Sequence, residues 1–376
     1  MRLQRAILGE LFANFLLAVL VLGSVSVGGV VVQSTTRFSE VPLGVLLGGI
    51  PFVLVGLLPH LLPVSLLAAI LLTYGRMSAE GEVAALRASG VHLFRVISPA
   101  FALAFTIAAL NQHVLGEAIP RLYLERGPYL RRLAAAALEG RAAVLSFSGF
   151  YLEGTPTGEP GVRRDVVLFQ RGGRGEDEGA SGKPRIQIAT ARQADTRIDR
   201  TGDAIVASLS DGKFFRWEGG ARGPTSGEIQ GLRFVFPLED LLSSGREIVK
   251  ERDMPNPELW AALRRGSAKR PPRATFELER RATLAAAPII FAMLGAPLGI
   301  LLRRGNRLFA FAVAFGVVLL GYYPLLVLGE TFFEAFVKRG PVPSEHWPIA
   351  AAAGAGVADV VLGLFGAVLM RRLFRL

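Results

Sequence analysis

The feature that most constrains this chain is a series of apolar runs, each about as long as a membrane-crossing helix. They lie at about 8–32, 42–72, 94–112, 283–302, 308–328 and 349–370. A helix needs about 20 apolar residues to cross a hydrocarbon core of roughly 30 Å. Because lipid offers no hydrogen-bond partners to the backbone, such runs are predicted to be helical. The sequence therefore predicts an α-helical membrane protein with six transmembrane helices, here called spans 1 to 6.

A long polar insert separates span 3 from span 4. No stretch of 117–274 is apolar enough to cross a bilayer. A basic, helix-prone segment at 120–143 is followed by short β-like runs at 143–152, 165–170, 185–190, 204–209, 213–217 and 232–236. These runs predict a β-sandwich or open barrel, with Asp211 and Gly212 forming a turn. We expect spans 1–3 in 1–116, the all-β insert with helical linkers in 117–274, and spans 4–6 in 275–376.

The net charge of +11 comes mostly from arginines, many of them beside the spans. These arginines lie at both termini, between spans 2 and 3, and between spans 4 and 5: Arg2, Arg5, Arg76, Arg87, Arg95, Arg303, Arg304, Arg307, Arg371, Arg372 and Arg375. Short loops rich in arginine face the cytoplasm. The sequence therefore predicts that both termini are cytoplasmic and that the β insert lies on the opposite side of the membrane.

Several classes of chemistry are excluded by what the sequence lacks. It has no cysteine, which excludes disulfides, thiolate zinc sites and iron–sulfur clusters. Gly182 and Lys183 are followed by Pro184 and do not form a P-loop. The four histidines are scattered without metal-ligand spacing. We therefore expect no catalytic residue, no metal site and no bound cofactor.

A few polar residues fall inside the spans. Glu10 and Asn14 lie near the inner end of span 1 and could each face a neighbouring helix. Asp359 in span 6 is the clearest intramembrane acid, and a charge there requires a partner or an aqueous cavity. We favour structural pairing over transport chemistry for Asp359. His60, between two prolines, is expected to be structural rather than a ligand.

The polar segment 74–95 between spans 2 and 3 is predicted to contain a short helix at about 78–90. Ser78 is the expected N-cap, Glu80 and Glu82 fall in the first turn, and Gly90 ends the helix. Carboxylates in the first turn interact favourably with the positive end of the helix dipole. Two interpretations remain open, a docking surface for a cytoplasmic partner and a solvated connector.

Three stretches resemble the lipopolysaccharide export permeases LptF and LptG. They are LLPVSLLAAILLTYGRMSAEGEVAALRASGV at 61–91, ELERRATLAAAPIIFAMLGAPLG at 277–299, and RIQIATARQADTRIDRTGDAIVASLSDGKFF at 185–215. The order of parts also resembles the family: three spans, a β-jellyroll and three spans. After Trp347 the family commonly has an asparagine, whereas this chain reads PIAAAAGAG, so that asparagine's role does not carry over.

The resemblance implies a permease subunit of an ABC transporter in the bacterial inner membrane. Such a subunit forms a heterodimer with a paralogous permease and binds two copies of a cytoplasmic ATPase, which hydrolyses the ATP. It takes lipopolysaccharide from the inner membrane and passes it through a periplasmic jellyroll to a bridge of similar jellyrolls. No nucleic acid is implied. The sequence does not distinguish the two paralogous subunits.

The resemblance also implies roles for particular residues. Glu82 matches the acid of the family's coupling helix that meets the ATPase, with Glu80, Arg87 and Gly90 completing the docking site. Arg37, at the outer end of span 1, is a candidate contact for lipid phosphate, with an anchor for ordinary phospholipid as the alternative. The apolar faces of the β strands either fill a core or line a groove for acyl chains.

Two other classes of protein compete with the transporter. A membrane-anchored sensor or envelope-assembly factor would carry a cytoplasmic output module, yet the longest predicted cytoplasmic segment is 74–95. A membrane enzyme would carry a cluster of polar catalytic residues in the insert, which offers mainly arginine, aspartate and glycine at turns. The transporter is therefore the expected function.

Overall fold

The computed structural model describes residues 2–37, 43–125, 129, 132, 144–147, 150–157, 159, 161–171, 185–199, 204–218, 225–237, 253–268, 270–302, 307–338 and 346–375. The chain forms two compact units. The first comprises 1–27, 53–122 and 251–376, and the second comprises 28–52 and 123–250. The predicted boundaries at 117 and 274 remain a prediction.

Helices dominate the first unit, and all six predicted spans are confirmed. The described helices are α1 (Arg2–Arg37), α2 (Leu43–Leu47), α3 (Ile50–Ala79), α4 (Glu82–Ala88), α5 (Leu93–His113), α6 (Ile119–Glu125), α7 (Asn256–Arg264), α8 (Pro271–Leu302), α9 (Arg307–Gly316), α10 (Tyr323–Lys338) and α11 (Trp347–Arg375). π-helical turns at Val114–Ala118 and Val317–Tyr322 join α5 to α6 and α9 to α10. Spans 1 to 6 are therefore built from α1, α3, α5 with α6, α8, α9 with α10, and α11.

Span 2 ends later than the sequence predicted. The expected run of 42–72 is divided into α2 and α3, and α3 continues to Ala79. Tyr74, predicted to begin a polar segment, is fully buried, and its hydroxyl donates a hydrogen bond to the Val96 carbonyl at 2.9 Å. A phenol that is satisfied by the next span can lie inside the bundle, so composition alone placed this helix end too early.

A buried amide joins three spans at proline positions. Pro63 and Pro288 lie inside α3 and α8, and neither can donate a backbone hydrogen bond to the carbonyl four residues before it. Those carbonyls belong to Pro59 and Leu284. Asn111 of α5 donates to both through Nδ2, at 3.2 and 3.0 Å. The amide therefore supplies the donor that each proline lacks.

Spans 5 and 6 approach each other closely at a pair of glycines. A Cβ atom added to Gly329 would lie only 1.9 Å from the carbonyl oxygen of Gly354. Small residues at such a position allow two helices in lipid to bring their backbones together. Phe276 of α8 and Phe333 of α10 stack beside this contact, with ring centroids 4.4 Å apart. The contact therefore fixes where α10 and α11 meet.

The second unit contains an antiparallel sheet, which confirms the predicted all-β insert. Its described strands are β1 (Val144–Phe147), β2 (Phe150–Pro156), β3 (Val162–Arg171), β4 (Arg185–Ile198), β5 (Ala204–Glu218), β6 (Thr225–Ile229) and β7 (Leu232–Pro237). Strands β1 to β6 pair in chain order, and β7 pairs with the first half of β5 beside β6. The run at 143–152 is a hairpin rather than one strand, and β6 was not predicted. Whether the unit is a full jellyroll remains an expectation.

A crease crosses the middle of this sheet, and it replaces the turn predicted at Asp211 and Gly212. Both residues lie inside β5, where Asp211 has φ 52°, and Asp165 of β3 has φ 51°. The side chains that point to the buried face change parity here: Arg163 precedes Val166 and Leu168 on β3, and Ala189 and Ala191 precede Ala194 and Thr196 on β4. Residues in the left-handed conformation bend the strands and preserve one buried face throughout.

The buried face of the sheet contains a charged side chain. Arg163 is almost fully buried, and its Nη1 donates to the Thr196 hydroxyl at 3.1 Å. That hydroxyl in turn donates to the Gly161 carbonyl at 2.7 Å. Burial lowers the pKa of Arg163 from its ordinary value because desolvation disfavours the charged form. The hydrogen bonds offset part of that penalty.

Candidate functional site

One end of the helical unit brings together arginines from five helices, α1, α3, α4, α5 and α11. Ser78 at the end of α3 donates to the Ile300 carbonyl of α8 at 2.7 Å. Gln4 of α1 donates to the Ser98 hydroxyl of α5 at 3.2 Å. The His92 ring, just before α5, stacks on Phe374 near the end of α11. We call this region the basic end. Its described arginines are Arg2, Arg5, Arg76, Arg87, Arg95, Arg371, Arg372 and Arg375.

The short helix predicted at the basic end is present as α4, but its start was predicted wrongly. Ser78 belongs to α3 and bonds to Ile300, so it is not an N-cap. The N-cap is Gly81, whose φ of 77° turns the chain sharply between α3 and α4. A left-handed residue is accessible to glycine at little cost. The reversal places Glu82 in the first turn of α4, as predicted.

The end of α4 agrees with the prediction. Gly90 has φ 82° and donates its N–H to the Arg87 carbonyl, and the N–H of Val91 donates to the Leu86 carbonyl, both at 3.0 Å. These two bonds define a Schellman motif. Val83 is buried against the bundle, whereas Arg87 is exposed. The helix is therefore held by one face and presents the other.

Arg76 collects three carboxylates from different parts of the chain. Its Nε and Nη2 donate to the two oxygens of Glu10 in α1, at 2.8 and 2.7 Å. Its Nη1 donates to Glu82 of α4 at 3.1 Å and also to Glu80. The Glu10 pair is a planar fork, the geometry that guanidinium and carboxylate groups match best. The sequence had placed Glu10 against a neighbouring helix, and the structure confirms this.

The cluster has more negative than positive charge. One guanidinium faces three carboxylates, and Glu80 and Glu82 remain 52% and 43% exposed. Beside them lies a hollow of about 400 Å³ between α1, α3 and α4. Its lining is mainly apolar: Leu3, Ala6, Ile7, Met77, Ala85 and Leu86, with Glu10, Arg76 and Glu82. The site is thus an acidic and partly apolar recess at the basic end.

The structure brings together only part of the predicted site. Glu80 and Glu82 meet at Arg76, while Arg87 lies on the exposed face of α4 and Gly90 only shapes its end. The sequence analysis used Arg76 only to assign the orientation of the spans in the membrane, and it missed that Arg76 binds all three carboxylates of the cluster. The spacing of four residues between Arg76 and Glu80 could have predicted an ion pair on one face of a helix.

Two predicted residues lie elsewhere. Arg37 is the last residue of α1, and its side chain falls outside the described part of the structure. Asp359 of α11 lies beside the hydroxyl of Tyr322, which the π-helical turn presents. The Tyr322 ring packs edge-on against Phe291 at 5.1 Å. His60 lies near the ring of Tyr323, with centroids 5.8 Å apart.

A comparison with protein families decides the class. The model of a family described as "Lipopolysaccharide export system permease LptF/LptG" matches residues 5–372. The chain belongs to the LptF/LptG family. Six spans and an inserted antiparallel sheet agree with that assignment. An LptF/LptG permease is a transporter component rather than a catalytic enzyme. A comparison with individual curated proteins gives no significant match.

Proposed function

We propose that this LptF/LptG-family chain is one permease subunit of an ABC transporter that takes lipopolysaccharide from the bacterial inner membrane. It would act as a heterodimer with a paralogous permease and deliver the lipid to a periplasmic bridge of jellyroll proteins. The family match over nearly the whole chain supports this proposal. ATP would be hydrolysed by two copies of a cytoplasmic ATPase, and this chain would bind no cofactor of its own.

The proposed topology places the basic end in the cytoplasm, with both termini, and the sheet in the periplasm. The charge distribution supports this topology. Eight arginines whose side chains are described lie at that end: Arg2, Arg5, Arg76, Arg87, Arg95, Arg371, Arg372 and Arg375. Arginine near the ends of spans is retained on the cytoplasmic side. Arg37 would then lie at the outer leaflet, where we propose that it contacts lipid phosphate.

The ATPase would dock on α4. The observation that carries this proposal is that two exposed carboxylates, Glu80 and Glu82, share the Nη1 atom of Arg76, because Glu10 occupies the other two donor atoms. A basic side chain from a partner would complete that cluster, and the adjoining hollow offers apolar surface for its neighbours. Glu82 is the proposed primary contact and Glu80 the second.

Replacing Glu82 tests the docking proposal. Glu82→Ala should weaken ATPase docking by about 2–5 kcal/mol, because it leaves a basic partner group unpaired at the interface. Glu82→Arg should weaken it further by repulsion. The measurement is co-purification of the ATPase with the membrane complex. Glu258→Ala, which removes an exposed first-turn acid from α7, is the matched control. Unchanged co-purification in both Glu82 variants would contradict the assignment.

A further inference from the structure

Three helices meet at the single guanidinium of Arg76. Glu10 belongs to α1, Arg76 to α3, and Glu82 to α4. One turn deeper in α1, Asn14 donates to the Thr73 hydroxyl of α3 at 2.8 Å. Ile7 and Leu11 of α1 are buried in the same cluster as Met77 and Val83. Span 1 is therefore attached to the end of span 2 by both polar and apolar contacts.

The geometry of Arg76 suits it to join α1 and α4. Both oxygens of Glu10 occupy Nε and Nη2, which leaves Nη1 to be shared by Glu82 and Glu80. The three donors are coplanar and rigidly spaced, so a shift of one carboxylate is passed to the other. Glu10 and Arg76 are 30% and 37% exposed, which screens them less than a fully exposed pair. Glu10, Arg76 and Glu82 are the polar residues that line the hollow between α1 and α4. Their hydrogen bonds therefore connect the two helices across it.

Glu82 retains capacity for a second partner while it binds Arg76. Arg76 contacts only its Oε1 atom. An ionised carboxylate can accept several hydrogen bonds on its two oxygens. A cationic group of a docked partner can therefore bind Oε2 without displacing Arg76. The result is a continuous chain of charges from the partner through Glu82, Arg76 and Glu10 to span 1.

We propose that Glu10 and Arg76 are positioning residues that transmit movement of α4 to span 1. This inference rests on the proposed function, in which an ATPase binds α4. When the ATPase displaces α4, Arg76 follows Glu82 and draws the Glu10 end of span 1 with it. Span 1 then responds to the ATPase directly, and not only through its packing against spans 2 and 3.

Glu10→Ala severs the link and leaves Glu82 in place. We expect the variant complex to retain its ATPase and to hydrolyse ATP, with ATP-driven release of lipopolysaccharide about tenfold lower, the effect of losing a hydrogen bond between charged groups. Arg76→Lys keeps the charge but cannot form the two parallel hydrogen bonds to Glu10, so it should give the same uncoupling. This variant replaces Glu10→Ala in the test if Glu10→Ala lowers the yield of folded complex. Gln4→Ala, which removes the bond from α1 to Ser98, is the matched control.

A distance measurement separates transmission from a merely structural role. The chain has no cysteine, so Ala6→Cys and Ala85→Cys supply defined spin-label sites on α1 and α4 across the hollow, once the cysteines of the partner subunits have been replaced. On trapping the ATPase with ATP and vanadate, we expect both labels to move together in the parent complex and separately in Glu10→Ala. Parent-like label movement and export in Glu10→Ala would overturn the proposal, as would loss of the ATPase from that variant. Retention of the ATPase by both Glu82→Ala and Glu82→Arg would instead overturn the docking proposal.

Discussion

Asn111 hydrogen-bonds to two other spans through a single buried amide. Its amide donates to the carbonyls of Pro59 and Leu284, which face Pro63 and Pro288 one turn on. We predict that Asn111→Leu destabilises the protein by about 1–3 kcal/mol, because both carbonyls become buried without a donor. Thermal unfolding of the complex in detergent measures this.

The prolines provide the internal control for this prediction. Pro63→Ala restores the backbone N–H that bonds to the Pro59 carbonyl, so it should recover part of the loss when combined with Asn111→Leu. Asn14→Leu, which removes a single bond to Thr73, should have the smaller effect. Strict additivity of Asn111→Leu and Pro63→Ala would show that the amide does not replace the missing donor.

Asp359 discriminates between structural pairing and transport chemistry. It lies beside the Tyr322 hydroxyl on the π-helical turn of span 5. We predict that Asp359→Asn preserves assembly and export, since the amide keeps the shape of the side chain and an oxygen acceptor beside the Tyr322 hydroxyl. Asp359→Leu, which removes the acceptor, should reduce the yield of folded complex. Abolished export by a normally assembled Asp359→Asn complex would show that the negative charge takes part in transport.

The residues of the basic end show what sequence could and could not reveal. A short helix with an acidic first turn and a glycine end follows from local rules of capping and was predicted, but at about 78–90 rather than at the observed 82–88. The contact of Arg76 with Glu10 joins residues 66 positions apart, and local rules contain no information about it. The serine expected as N-cap was misassigned because its hydroxyl bonds to a distant span.

At the scale of elements, length and hydropathy sufficed for the spans but not for their ends. Span 2 extends to Ala79 because Thr73 and Tyr74 find partners inside the bundle. In the sheet, an Asp-Gly pair indicates a turn when neighbouring strands are unknown. Here the same pair lies in β5 at the crease, where β4 continues past it on one side, while β7 and β6 pair with successive halves of β5 on the other.

The crease makes Gly212 a critical position in the sheet. A Cβ atom there would lie 1.9 Å from the Thr190 carbonyl oxygen of β4. We predict that Gly212→Ala destabilises the sheet by about 1–3 kcal/mol, because β4 and β5 must separate at that point. Limited proteolysis of the sheet unit measures the loss. Gly231→Ala, with open space around its Cβ position, is the control and should be neutral. Equal protease resistance of the two variants would contradict this.

At the scale of the whole molecule, the two units present different surfaces. The helical unit contains the basic end and the charge cluster, and the sheet unit has one buried face and one open face. On the open face Phe169, Ile188 and Phe215 are aligned across β3, β4 and β5. Ile188 and Phe215 remain 37% and 45% exposed. Exposed aligned apolar residues are typical of a binding surface rather than of a filled core.

Charged substitutions on the open face test whether the sheet carries the lipid toward the bridge. We predict that Ile188→Asp and Phe215→Asp abolish transfer of lipopolysaccharide to the bridge, because a carboxylate disfavours bound acyl chains. ATPase docking should be unchanged, since α4 belongs to the other unit. Photo-crosslinking between the lipid and the sheet measures occupancy, and Gln193→Asp, on an exposed position of β4 beyond the crease, is the matched control. Deleting 143–236 should likewise leave the ATPase docked and stop delivery. Delivery that survives the deletion would make the sheet an accessory and exclude it as the path of the lipid.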